Sequence, residues 1–183
     1  MCGRYVIEED GQIAEVNKIM KEIGSKVTGE IFPTNNAPIL SLKCDKPSLN
    51  LMSWGFPKWD NKGVIINAKS ETVSEKRMFA KPFNQHRCVV IATGFYEWKA
   101  KDKYRFNSPD TPMLYMAGIY TDTDDSFVIL TRSANESIVD IHERMPVILY
   151  KDELVRWLTD YTFARNIMER NNVKLNKEIV YAS

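Results

Sequence analysis

Cys2 carries a thiol one residue from the start of the chain, and removal of Met1 would add a free α-amine on the same carbon framework. Such a 1,2-aminothiol condenses with an aldehyde through nitrogen, and its sulfur then closes a five-membered thiazolidine. A free α-amine titrates at about 7.7–8.0 and a cysteine thiol at about 8.5, so both nucleophiles are available near neutrality. Nearby Arg4 is expected to enlarge the thiolate fraction. By position alone, Cys2 reads more readily as an incidental small residue near a poorly ordered terminus.

Three other side chains have chemistry to offer. Strand alternation puts Tyr96 and Trp98 on one face and Phe95, Glu97 and Lys99 on the other, so Glu97 is either a partly desolvated proton carrier or a solvated edge residue. His142 lies in Asp140-Ile141-His142-Glu143-Arg144-Met145-Pro146 and can donate a proton, anchor an anion or serve only in structure. Asn67 follows the apolar run Val64-Ile65-Ile66, and its amide can donate to an oxygen and accept from an amine, or merely cap the next turn. No metal is expected, because the other histidine, His86, sits in the unrelated Asn84-Gln85-His86-Arg87 context.

The elements that must hold these residues belong to one domain over 1–183, at 44% hydrophobic and 27% charged residues. Three scattered cysteines without a C-x-x-C pair suggest neither a disulfide framework nor a zinc knuckle. A reducing cytoplasm fits best, with no membrane span, and a monomer is expected. The net charge of +1 argues against a wholesale polyanion binder. Yet Pro57 to Arg87 holds seven basic residues against three acidic ones, interleaved with Trp59, Phe79 and Phe83, a mixture that can track a nucleic-acid backbone or simply form a solvated face.

Periodicity predicts a helix carrying Ile13, Val16, Met20 and Ile23 that stops at Gly24, after a strand over Arg4 to Ile7. The turn formers from Phe32 to Pro38 predict a loop. Strands are expected at 39–42, 49–53, 64–67, 88–92, 95–98, 103–106, 113–120 and 127–131, with hairpin turns near Lys101-Asp102 and Thr121 to Asp125. Capping-box patterns at Thr72 to Glu75 and Ser133 to Glu136 predict helices through Met78 and to Met145. Further helices are expected over 152–158 and 163–170, and a last strand within 174–181. The sum is an α+β fold with a strongly curved, mostly antiparallel, barrel-like sheet flanked by short helices.

Met-Cys-Gly-Arg-Tyr at the start, Asn67-Ala68-Lys69-Ser70-Glu71-Thr72, Gly94 to Lys99 and Asp140 to Pro146 together resemble the SOS response-associated peptidase family, in order and spacing, over nearly the whole chain. The resemblance implies self-removal of Met1 and covalent linkage of an N-terminal cysteine to the ring-opened sugar of an abasic site in single-stranded DNA. It implies that Cys2 is the nucleophile, Asn67 positions its amine and the sugar oxygen, Glu97 is acid and base, and His142 assists imine formation and ring opening. No cofactor is implied. Flanking phosphates would be held by Arg4, Lys69 and Arg77, where many relatives carry arginine in place of Lys69. Trp54, Phe56 and above all Trp59 are the stacking candidates, and Asn36 and Pro38 lie in a loop expected near the site. Two rivals share these residues: a cysteine hydrolase of other peptides and a non-covalent single-strand binder.

Overall fold

A computed structural model describes residues 2–8, 14–24, 27–60 and 62–181. Met1 and Ile13, used in the expectations above, lie outside the described residues. The strands are β1 (Arg4–Ile7), β2 (Gly29–Ile31), β3 (Asn36–Lys43), β4 (Lys46–Trp54), β5 (Phe56–Pro57), β6 (Val64–Ile65), β7 (Asn67–Lys69), β8 (Arg87–Ala92), β9 (Gly94–Lys99), β10 (Asp102–Asn107), β11 (Leu114–Thr121), β12 (Ser126–Ser133), β13 (Arg144–Pro146), β14 (Ile148–Leu149) and β15 (Asn176–Val180). The helices are α1 (Ala14–Ile23), α2 (Arg77–Gln85), α3 (Leu154–Thr159) and α4 (Tyr161–Ile167).

The pairing β3-β4-β12-β11-β8 returns to β3 and closes a ring, while a second sheet runs β15-β10-β9-β1-β2. Among the described residues only β12 makes parallel contacts, with β4 and β7. The α+β class and the curved, mostly antiparallel sheet are therefore as expected. Closure removes the exposed edges that an open sheet would present. β8, β11 and most of β12 are buried nearly end to end, so the core fills the ring. α1 buries Val16 and Ile19 and ends at Gly24, whose φ of +63° suits a residue without a Cβ.

Asn36 and Pro38 stand in β3, where a loop was expected. Cys44 and Asp45, at φ +50° and +60°, make a two-residue turn between the paired Lys43 and Lys46. Counting from that turn, Pro38 opposite Leu51 and Pro47 opposite Leu42 both fall at non-hydrogen-bonded positions, where a missing N–H costs the ladder nothing. The actual turn is confined to residues 32–35, closed by the Asn35 side chain accepting from the Phe32 N–H at 3.0 Å.

The helix expected from Ser133 to Met145 does not form. Ser133 ends β12, Arg144–Pro146 pairs with it as β13, and only turns lie between. Asn135 is spent elsewhere, its amide donating to the Val173 carbonyl at 2.6 Å while its oxygen accepts from the Ser137 N–H at 3.0 Å. Pairing with the ring strand outweighs the local capping pattern. His142 consequently sits after two turns rather than at a helix terminus. The other box also fails as a helix start: Ser70–Thr72 is a 3-10 turn and α2 begins only at Arg77. The strand expected over 64–67 breaks at Ile66, whose carbonyl accepts from the Trp54 indole and the Ile129 N–H, both at 3.1 Å.

Candidate active site

β1 and β9 are paired neighbours, with Tyr5 opposite Phe95, and Cys2, just ahead of β1, lies close enough to Glu97 on β9 to feel its charge. Cys2 is fully buried. Its carbonyl accepts a hydrogen bond from Asn67 Nδ2 at 3.0 Å, and its Sγ lies 3.9 Å from the Arg4 carbonyl. Asn67 reaches Cys2 because β7 lies along β12, Asn67 opposite Ile129. Its other amide atom, Oδ1, is buried and accepts no hydrogen bond among the described residues. An unfilled acceptor next to Cys2 is a ready seat for an N–H group.

Glu97 is only 4% exposed. It lies on the face of β9 away from Tyr96 and Trp98, the partition that alternation predicted, and that face turns inward. Burial pushes its carboxyl above the ordinary value, against the pull of the nearby His142. His142 Nε2 stands 3.9 Å from Glu97 Oε2. Its Nδ1 accepts the Arg144 backbone N–H at 2.9 Å. Four side chains from distant segments thus converge: a thiol, an amide that fixes its residue, a carboxyl and an imidazole.

The electrostatics correct one expectation. Burial, and secondarily the Glu97 charge, push the Cys2 thiol far above its ordinary value. The Arg4 side chain does not offset this. Its guanidinium pairs with Glu30 at 3.1 Å and lies over the Phe32 ring at 4.0 Å, on the face opposite Glu97. The resting sulfur is a thiol, so a nearby base must take its proton when it attacks.

The other nominated residues divide by burial. Trp54 is fully buried, packed on Tyr5 at 5.1 Å, and Phe56 is 4% exposed against Phe79. Neither offers a ring face to a base. Gly55 between them has φ +126°, and a Cβ there would meet Val64 at 2.7 Å, so the pair is locked into the core. Trp59, by contrast, is 93% exposed. Lys69 and Arg77 are exposed, Asn36 is exposed at the start of β3, and Pro38 is buried within it. Arg87, counted in the basic segment, is buried: it donates to the carbonyls of Trp157, Phe83, Asn84 and Leu158 at 2.7–3.1 Å, stapling α2 to α3. His86 lies apart from the cluster, 3.0 Å from Asp122.

Sequence reasoning missed one feature of the site. Arg144 grips Glu71 with both terminal nitrogens, at 2.6 and 2.8 Å, although both residues lie in the motifs quoted above. Charged residues at fixed places in two motifs were the available signal, but nothing in one dimension paired them.

The sequence profile described as SOS response associated peptidase (SRAP) matches residues 1–178. Abasic site processing protein YedK of Escherichia coli is 32% identical over 86% of this chain and 79% of its own length. Abasic site processing protein YoqW of Bacillus subtilis is 30% identical over 92% of this chain and 87% of its own. A crystal structure from Bordetella bronchiseptica superposes with a TM-score of 0.77 at 20% identity, covering 99% of this chain and all of that one, which shows the shared fold. The chain belongs to the SOS response associated peptidase family.

Proposed function

We propose that this protein captures abasic sites in single-stranded DNA as a covalent adduct of Cys2. The observation that carries the reading is the Asn67 hydrogen bond to the carbonyl of buried Cys2, in the neighbourhood of the Glu97–His142 pair. The relatives' designation as abasic site processing proteins supports the substrate.

The chemistry requires hydrolysis of the Met1–Cys2 peptide, which frees the α-amine. That amine attacks C1′ of the ring-opened sugar, an aldehyde, to form a carbinolamine. Protonation of the carbinolamine hydroxyl expels one water and leaves an imine. The Cys2 sulfur then adds to the imine carbon, its proton ends on nitrogen, and a thiazolidine closes. Because the resting sulfur is protonated, the amine acts first and Glu97 relays the thiol proton. A carboxyl raised by burial is better suited to giving as well as taking a proton than one at its ordinary value. His142, with Nε2 toward Glu97, assists opening of the sugar ring. The exposed Lys69, Arg77 and Trp59 are the surface elements to hold flanking phosphates and stack a base.

The test is incubation with a single-stranded oligonucleotide carrying one abasic site, followed by denaturing electrophoresis. A shifted band is expected from the wild type and none from Cys2→Ala, while both variants bind intact single strands. Turnover of unrelated peptides without a band would instead favour the hydrolase, and binding without a band would favour the non-covalent reading.

A further inference from the structure

β12 carries the site on both flanks. Along one edge β7 places Asn67 opposite Ile129 and Lys69 opposite Thr131. Along the other, β13 places Pro146 opposite Thr131 and Arg144 opposite Ser133. Asn67 and His142 therefore hang from two short strands that do not touch each other through backbone pairing. Three-residue strands have little stability of their own. Something has to keep their spacing.

Glu71, four residues after Asn67, and Arg144, two after His142, meet across the end of β12. The fork is bidentate, Nη1 to Oε1 at 2.6 Å and Nη2 to Oε2 at 2.8 Å, and Nη2 also donates to the Thr131 carbonyl at 2.6 Å. One guanidinium thus binds the β7 side, the β13 side and β12 itself. Two parallel charge-assisted bonds fix direction as well as distance, which a single lysine contact does not. The Arg144 side chain is 11% exposed, so without its carboxylate it would be a nearly buried charge with too few acceptors. The Arg144 hydrogen bonds hold the Glu71 carboxyl at about 2, so it stays ionised through the neutral range.

The same arginine controls the imidazole. Its backbone N–H points at His142 Nδ1 at 2.9 Å. A backbone N–H only donates, so Nδ1 has to be bare and the proton of the neutral ring belongs on Nε2, the atom 3.9 Å from Glu97. Anchoring Arg144 therefore selects the tautomer.

We propose that Glu71 and Arg144 are positioning residues, which clamp β7 to β13 and thereby hold His142 as its Nε2–H tautomer toward Glu97 at a fixed distance from Asn67. The pair touches no reacting atom. Its kinetic consequence rests on the crosslinking reading above, but its structural consequence does not.

The chain has two histidines, so imidazole nitrogen correlation NMR resolves both, with His86 as an internal control. Wild-type His142 is expected to show the Nε2–H pattern. Glu71→Gln, at a side chain 46% exposed and so tolerable to the fold, is expected to give mixed tautomers at His142 with His86 unchanged. In the abasic oligonucleotide assay the same variant should crosslink roughly ten- to a hundredfold more slowly, the scale of losing an orienting partner, with unchanged affinity for intact single strands. Arg144→Lys, which keeps the charge but not the fork, should move both readouts the same way, and the double variant should be no worse than the poorer single one. A wild-type tautomer pattern in both variants, or additive losses, overturns the proposal. If the wild type forms no adduct, the crosslinking reading fails and the tautomer measurement still decides this one.

Discussion

The buried cluster and the basic surface segment make opposite uses of polar side chains. Cys2 and Glu97 are buried and Asn67 half-buried, on or beside paired strands that fix where each side chain stands. From Pro57 to Arg87 the reverse holds: six of the seven basic side chains and Trp59 stand in solvent, and only Arg87 is drawn inside, to staple backbone carbonyls. Burial shifts proton affinities and sharpens geometry, which chemistry needs. Exposure leaves charge and ring faces available, which transient grip on a strand needs. Variants inside the cluster are therefore expected to change rate with little change in binding, and variants on the segment the opposite.

Glu97→Gln gives the largest effect and the hardest test of that division. Loss of a positioned acid and base should slow adduct formation on the order of a hundredfold or more. The wild-type pH–rate profile should also carry an inflection above the ordinary carboxylate range, since burial raises the Glu97 carboxyl, and the variant should lack it. A second readout moves the other way. Because the Glu97 charge raises the Cys2 thiol, its removal lowers that value, so Cys2 should alkylate faster while forming adduct more slowly. Buried Cys88 reports any general loosening and exposed Cys44 sets the unhindered rate. An adduct rate unchanged in Glu97→Gln would break the argument that Glu97 acts on the protons of Cys2.

Trp59→Ala probes the surface side. Base–aromatic stacking is worth about 1–3 kcal/mol per base, so single-strand affinity measured by fluorescence anisotropy should weaken roughly five- to a hundredfold. At saturating DNA the crosslinking rate should be unchanged. An unchanged affinity would remove Trp59 from the interface, and the burial of Trp54 and Phe56 leaves neither to replace it.

The difference between the two regions also explains what the sequence revealed. Most strands were legible because alternation and apolar runs report burial directly, and parity separated Glu97 from Tyr96 and Trp98 without saying which face turns inward. What failed was decided by partners far along the chain. Ser133 and Glu136 read as a capping box until β12 claims Ser133 and β13 claims Arg144. Pro38 reads as a turn former until the hairpin register places it where the β3–β4 ladder requires no N–H. Trp54 and Trp59, five residues apart and similar in local context, differ from core to solvent because the ring closes over one of them. The four site residues were legible as a set only through their motifs, since nothing local brings Asn67 to Cys2.

Lys69 carries the smallest expected effect and sits where the two regions meet. It shares β7 with Asn67, yet it is exposed, and its side chain makes no hydrogen bond or ion pair among the described residues. Lys69→Ala should leave the crosslinking rate at saturating DNA intact. It should lower affinity only modestly and reduce the slope of log affinity against log salt by about 0.7, the share of one neutralised phosphate on a single strand. Lys69→Arg should keep that slope and tighten binding slightly, because a planar fork fixes a phosphate where an ammonium only attracts it. A rate loss in Lys69→Ala at saturating DNA would mean that β7 transmits a surface contact to Asn67, and the two regions would then act as one.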